Sequence, residues 1–265
     1  MGAAFLLGLL LTVDPKPLPQ SAPVLPPPNL KVNVLAREDL DSDHLRLLAR
    51  PKVVLWLSTK SNVLSESVLV SLSRFEESWV QLKPPFEPAN LNQLEKLPRA
   101  GLWVDAKDLN GKGAGRLKGP RRIAVWFSGP LDETLAQTIE SVRPAWVVWL
   151  KSGAVDLLSW SLFKSLPGKK LYQPETEQLT RTNCGERTDA REPGAWAHVT
   201  LLMAVAGDVF PCGKGGWVQL EPQSEPWIAS SLLARDPSTE LVFDIGPSEE
   251  RSVMTRRTLD QLLPR

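Results

Sequence analysis

Short apolar runs recur along the chain at a nearly constant interval, most of them closed by a polar residue. They are Val53-Val54-Leu55-Trp56-Leu57-Ser58, Trp79-Val80-Gln81-Leu82-Lys83, Gly101-Leu102-Trp103-Val104-Asp105, Ala124-Val125-Trp126-Phe127-Ser128, Val147-Val148-Trp149-Leu150-Lys151 and Lys170-Leu171-Tyr172-Gln173. The shared order is apolar, variable, apolar, polar, and the last copy breaks off at Gln173. Val32-Asn33-Val34 is a looser, earlier copy. The variable positions are 33, 56, 81, 103, 126, 149 and 172, spaced by 23, 25, 22, 23, 23 and 23 residues. The runs are short and rich in β-branched and aromatic residues, which predicts strands.

Helical patterns fill the intervals. Leu40, Leu47 and Leu48 mark one over 39–49. Ser65 opens another that carries Val68, Leu69, Leu72 and Phe75. Leu91, Leu94 and Leu97 mark a third, and Leu135, Ile139 and Val142 a fourth, with Asp132 and Glu133 suited to its first turn. A fifth, over 154–166, stops at Pro167-Gly168. Strands that alternate with helices run parallel, because the crossover returns the chain to the edge it left.

Two architectures meet this pattern: an open αβ solenoid and a closed (βα) barrel. Eight-unit barrels of about 250 residues spend ~30 residues per unit, whereas solenoids repeat every 20–29. Val142-Arg143-Pro144-Ala145-Trp146-Val147-Val148-Trp149-Leu150 and Ala49-Arg50-Pro51-Lys52-Val53-Val54-Leu55-Trp56-Leu57 both read apolar, x, Pro, x, x, x, apolar, x, Leu. The phrase resembles leucine-rich repeats over roughly 30–175. That resemblance implies a parallel-strand solenoid with an open concave sheet face. The Asn that turns the chain after each strand in such repeats is missing here. Apolar residues at consecutive positions, as in Val53 to Leu57, favour the barrel instead, since its strands are buried on both faces. The expected organisation is an N-terminal segment over 1–29, a βα repeat over 30–175 and a C-terminal capping region over 176–265.

On the solenoid reading, Trp56, Gln81, Trp103, Trp126, Trp149 and Tyr172 form a row across one sheet face. Lys83, Asp105 and Lys151 then stand beside it, with Ser58 and Ser128. Large aromatics flanked by charged groups match the composition of binding hot spots. The expected function is a non-catalytic module that holds a protein or a glycan on this face. On the barrel reading, the same Lys83, Asp105 and Lys151 stand at the C-terminal strand ends, as acid, base or Schiff-base candidates. In an eight-strand barrel, rings this large are expected to point outward at the helices, because the interior suits branched aliphatics.

Composition narrows the chemistry. Lys plus Arg (31) nearly cancels Asp plus Glu (30), which argues against a nucleic-acid partner. Two His and two Cys, far apart, argue against a metal site, and no cofactor motif is present. The Gly-rich, basic stretch 108–120 lacks the phosphate-loop order of Gly, Lys and Ser/Thr. The apolar run 3–13 is too short to span a bilayer and has the length of a signal-peptide core. A Pro-rich spacer follows it. Export to the periplasm or outside is therefore expected, and in that setting Cys184 and Cys212 would pair as a disulfide.

Overall fold

The computed structural model describes residues 30–37, 42–59, 64–109, 117, 122–152, 156–174, 193–199, 216–222, 224, 226–235 and 238–263. Ten strands form a closed barrel: β1 (Val32–Arg37), β2 (Val53–Ser58), β3 (Glu77–Gln81), β4 (Ala100–Asp105), β5 (Ile123–Ser128), β6 (Trp146–Ser152), β7 (Lys169–Pro174), β8 (Gly194–Val199), β9 (Trp217–Leu220) and β10 (Glu240–Gly246). Each pairs in parallel with its sequence neighbours, and β10 returns to pair with β1. The solenoid expectation is thereby corrected. Strands β8, β9 and β10, in the segment expected to cap an open repeat, complete the ring.

The described helices flank the strands: α1 (Ser42–Leu48), α2 (Glu66–Leu72), α3 (Pro88–Glu95), α4 (Glu133–Ser141), α5 (Leu157–Ser165), α6 (Pro226–Arg235) and α7 (Glu249–Leu262). Four of them start at a side-chain cap. The side chains of Ser65, Asp132, Asp156 and Ser248 each accept a hydrogen bond from a backbone N–H three residues on. The turns before β2 and β6 use left-handed residues beside proline, Lys52 at φ 68° and Arg143 at φ 49°. The Pro-containing phrase that resembles leucine-rich repeats thus marks helix-to-strand turns. The β4–β5 connection departs from the pattern: its described element is only the 3-10 turn Ala106–Leu109.

Alternation along the strands sorts the core into two clusters. Val53, Leu55 and Leu57 of β2, Val80 of β3, Leu102 and Val104 of β4 and Phe243 of β10 face outward to the helices. Val54, Trp56, Trp79, Ala124, Trp126, Val148, Leu171, Trp196, Trp217 and Val242 form the second cluster, with Trp103 and Trp146 packed against it. Trp56 of β2 meets the rings of Trp126, Trp146 and Trp217, from β5, β6 and β9, at centroid distances of 5.4, 5.9 and 5.4 Å. Strands on opposite arcs of a ring share such contacts only through its interior. The second cluster therefore fills the lumen.

Strand number explains why the indoles went inside. Barrel diameter grows roughly linearly with the number of strands, so ten enclose a lumen about a quarter wider than eight. Branched aliphatics that fill the smaller barrel would leave this one hollow. Interiors are packed to crystal density, so the sequence supplies larger rings. The outward orientation expected for an eight-strand barrel is corrected for Trp56, Trp103 and Trp126.

Candidate functional site

The lumen has two ends of different chemistry. At the N-terminal end, Glu240 is buried and its carboxylate is fully engaged. Oε2 accepts from Asn33 Nδ2 at 2.9 Å and Trp217 Nε1 at 3.1 Å, and Oε1 accepts from Lys169 Nζ at 2.6 Å. Asn33 Oδ1 in turn accepts from Trp56 Nε1 at 3.0 Å. Lys169 Nζ also lies 4.2 Å from the centroid of the Trp146 ring. A second carboxylate, Glu77, accepts from Arg122 and from Trp79 Nε1 at 3.2 Å, with Lys31 Nζ at 3.6 Å. Every charge in this group has a partner, and N-terminal faces of βα barrels serve stability. These groups plug the barrel and orient its indoles.

The C-terminal end is polar. Ser58 Oγ donates to Gln81 Oε1 at 2.5 Å, and the Thr59 hydroxyl donates to the Gln81 carbonyl. Asp105 ends β4 and faces inward beside Trp126, its register partner on β5. Lys107 Nζ lies 2.8 Å from Asp105, and the Lys107 backbone N–H donates to the same carboxylate at 3.2 Å. That hydrogen bond, with the attraction of the opposite charge, raises the Lys107 pKa. Asp108 is raised above the usual carboxylate range, first by burial and then by the Asp105 charge, while Lys107 and Lys83 pull it down. Lys83, Asp105, Lys107 and Asp108 are thus one electrostatic cluster on the rim.

Beneath this rim lie two hydrogen-bond donors without partners. Trp103 Nε1 and Trp126 Nε1 are buried and make no hydrogen bond. The two rings pack at 4.2 Å, tilted by 36°. Elsewhere in the lumen Trp56, Trp79, Trp196 and Trp217 all donate to protein acceptors. A buried unpaired N–H costs about 1–3 kcal/mol, so the contrast between the two ends is chemically meaningful.

The residues expected to share one row divide between the two faces. Trp56, Gln81, Trp103, Asp105 and Trp126 face the lumen, and Lys83 stands on the rim. Trp126 pairs with Val148, one residue short of Trp149, so Trp149 falls on the outer face. There it stacks on Phe127 at 5.4 Å, and its Nε1 donates to the Gly129 carbonyl at 2.9 Å. Tyr172 is outward too, edge-on to Trp160 of α5 at 5.1 Å. The expected single row is corrected for these two residues. The Lys151 side chain, Cys184, Cys212, the run 3–13 and most of the Gly-rich stretch lie outside the described residues.

Sequence reasoning missed Trp79, Trp146, Trp196, Trp217, Asn33 and Glu240 as lumen residues. The signal was present. Trp196 pairs with Trp217 and Trp217 with Glu240, so the recurrence continues through the last three strands. Among the described residues no cluster of His, Cys, Asp and Glu is arranged to hold a metal, and no helix is long and apolar enough to cross a membrane. Neither a protein-family model nor a curated protein matches the chain.

Proposed function

We propose that the protein is a non-catalytic binding barrel that takes a glycan end at its C-terminal mouth. The observation that carries this reading is the pair of unpaired indole donors, Trp103 Nε1 and Trp126 Nε1, below a rim of Ser58, Gln81, Asp105 and Lys83. Sugars offer ring faces for aromatic packing and many oxygens that accept N–H bonds, which suits this lining. A folded protein does not reach rings enclosed by ten strands. Of the two partner classes expected from sequence, the glycan is the one favoured. Export remains part of the proposal, resting on the apolar run 3–13 and its Pro-rich spacer.

The test is titration of the full chain with soluble cello-, xylo-, malto- and chito-oligosaccharides, read by calorimetry and tryptophan fluorescence. Saturable binding to one series is expected. Trp126→Phe and Trp103→Phe, which keep a ring and delete the donor, should each weaken it about five- to tenfold, as expected for one hydrogen bond. Trp149→Phe, on the outer face, should leave affinity unchanged. Absence of saturable heat with every series, or equal affinity in all three variants, overturns the reading.

A second reading rests on Asp108, which is held protonated to higher pH beside Asp105. A carboxyl kept protonated to higher pH is suited to donate a proton, and Asp108 stands at the end of the barrel where active sites form. Turnover of a bound oligosaccharide that is lost in Asp108→Asn, with binding retained, would select it.

A further inference from the structure

At the C-terminal mouth, hydrogen-bond donors and acceptors do not balance. The amide and carboxylate acceptors that end β3 and β4 are already engaged. Gln81 Oε1 takes the Ser58 hydroxyl at 2.5 Å. Asp105 Oδ2 lies 2.8 Å from Lys107 Nζ, and Oδ1 accepts the Lys107 backbone N–H at 3.2 Å. Three donors are left over on the same arc: Trp103 Nε1, Trp126 Nε1 and the Lys83 ammonium. Lys83 follows Gln81, the register partner of Trp103, by two residues. It is exposed, and among the described residues it makes no hydrogen bond or ion pair. The two indoles sit on neighbouring strands with their rings 4.2 Å apart, and Trp103 is only half-buried, so the pair is not sealed off.

This surplus selects among sugars. A hydroxyl that accepts from an indole N–H has a proton of its own to place, and the acceptors nearest it are taken. A carboxylate accepts on two oxygens and donates nothing, so it meets the leftover donors without adding another, and its bonds to them are charge-assisted. We propose that the glycan end taken at this mouth is acidic, a uronic acid residue whose carboxylate is held by Lys83 and the N–H groups of Trp103 and Trp126. The proposal rests on the glycan reading above and adds the class of sugar. Asp108 is the opposing charge, close enough to Asp105 and Lys83 to feel both. Farther round the ring the inward strand ends carry Arg37, the register partner of Ser58, and Asp244, two residues past Val242. They are one charge of each sign, so that side neither adds to the attraction nor cancels it.

Calorimetric titration of the full chain with trimers of glucuronate, galacturonate and mannuronate, each beside its carboxyl-reduced neutral form, tests it. One acidic trimer should bind about tenfold more tightly than its neutral form, the worth of a charge-assisted hydrogen bond. Lys83→Gln, an exposed change that leaves the core untouched, should remove most of that preference by weakening the acid far more than the neutral form. Asp108→Asn should tighten the acid. Arg74→Gln, an exposed cation after α2 at the opposite end of the barrel, should alter neither. Equal affinity for an acid and its neutral form overturns the acidic assignment and leaves the glycan reading standing. So does binding confined to the neutral forms or to the neutral series above. A loss in Arg74→Gln as large as in Lys83→Gln also overturns it, since the attraction would then be diffuse. Absence of binding by all six trimers and by every neutral series overturns both.

Discussion

The indole of Trp79 occupies the space a side chain would need at Gly101. A Cβ built on Gly101, its register partner, would stand 2.5 Å from Trp79 Cε3 and Cζ3. Trp79 cannot swing away, because it stacks on Trp56 at 5.2 Å and its Nε1 is held by Glu77. Gly101→Ala should therefore destabilise the fold by about 1–3 kcal/mol, the usual cost of overpacking a filled core. Urea unfolding measures it. Pairing the change with Trp79→Leu should recover part of the loss, since the rigid ring is what the new methyl meets. A neutral Gly101→Ala would mean the lumen is looser than its geometry indicates.

Glu240 holds three donors on two oxygens, and nothing opposite it accepts. Glu240→Gln is nearly isosteric but turns one acceptor into an N–H₂ group facing Asn33, Trp217 or Lys169. A donor then faces a donor in a buried site, and Lys169 loses its counter-charge. We expect a loss of about 3 kcal/mol at neutral pH, the scale for removing one partner of a buried charged pair. The near-ultraviolet circular dichroism should weaken with it, because Trp217 and, through Asn33, Trp56 are oriented by this carboxylate. Retained stability would show that aromatic packing alone orders the lumen.

The recurrence was readable before any coordinates because each strand–helix unit advances the chain by nearly the same length. Closure was not. Whether parallel units curl into a solenoid or a ring depends on their number and on the register between strands, and neither leaves a local mark. Three further strands lay in a region whose apolar runs are short, and β9 spans only Trp217–Leu220. Facing was obscured for another reason. Val147-Val148-Trp149-Leu150 is apolar at every position, as a strand buried on both sides must be, so alternation could not assign Trp149. One residue of register, Trp126 against Val148, decided it. The indole donors of Trp103 and Trp126 were beyond sequence altogether, since a partner's absence is a property of packing.

Trp56 and Trp126 lie 5.4 Å apart in the same cluster but differ in their hydrogen bonds. Trp56 Nε1 donates to Asn33, whereas Trp126 Nε1 donates to nothing. Both Trp→Phe substitutions remove similar buried apolar area. Only Trp56→Phe leaves a buried acceptor, Asn33 Oδ1, without its donor. Trp56→Phe should thus cost about 1–3 kcal/mol more than Trp126→Phe. Parallel thermal and chemical unfolding of the two variants makes the comparison, and equal losses would deny the Asn33 bond any net worth.

Two aspartates should bend the acid side of the stability profile in opposite directions. Asp156 caps α5, accepting from the Ser159 backbone N–H at 2.8 Å and from its hydroxyl at 2.8 Å, and these bonds lower its pKa. A lowered carboxyl contributes stability above its unfolded value, and loses it as pH falls through the folded value. Asp108 is raised by burial and by Asp105, so the folded state favours its protonated form. Its ionisation costs stability as pH rises from the unfolded value through the folded one. Asp108→Asn should accordingly raise the melting temperature at neutral pH, and the gain should vanish in acid below the ordinary aspartate range. Asp156→Asn should lower the melting temperature at neutral pH, and that loss should also fade in acid, because wild-type Asp156 is then protonated too. Melting curves of the wild type and both variants, taken between pH 2 and 8, separate the signs; a neutral-pH loss in Asp108→Asn would contradict the burial of its charge.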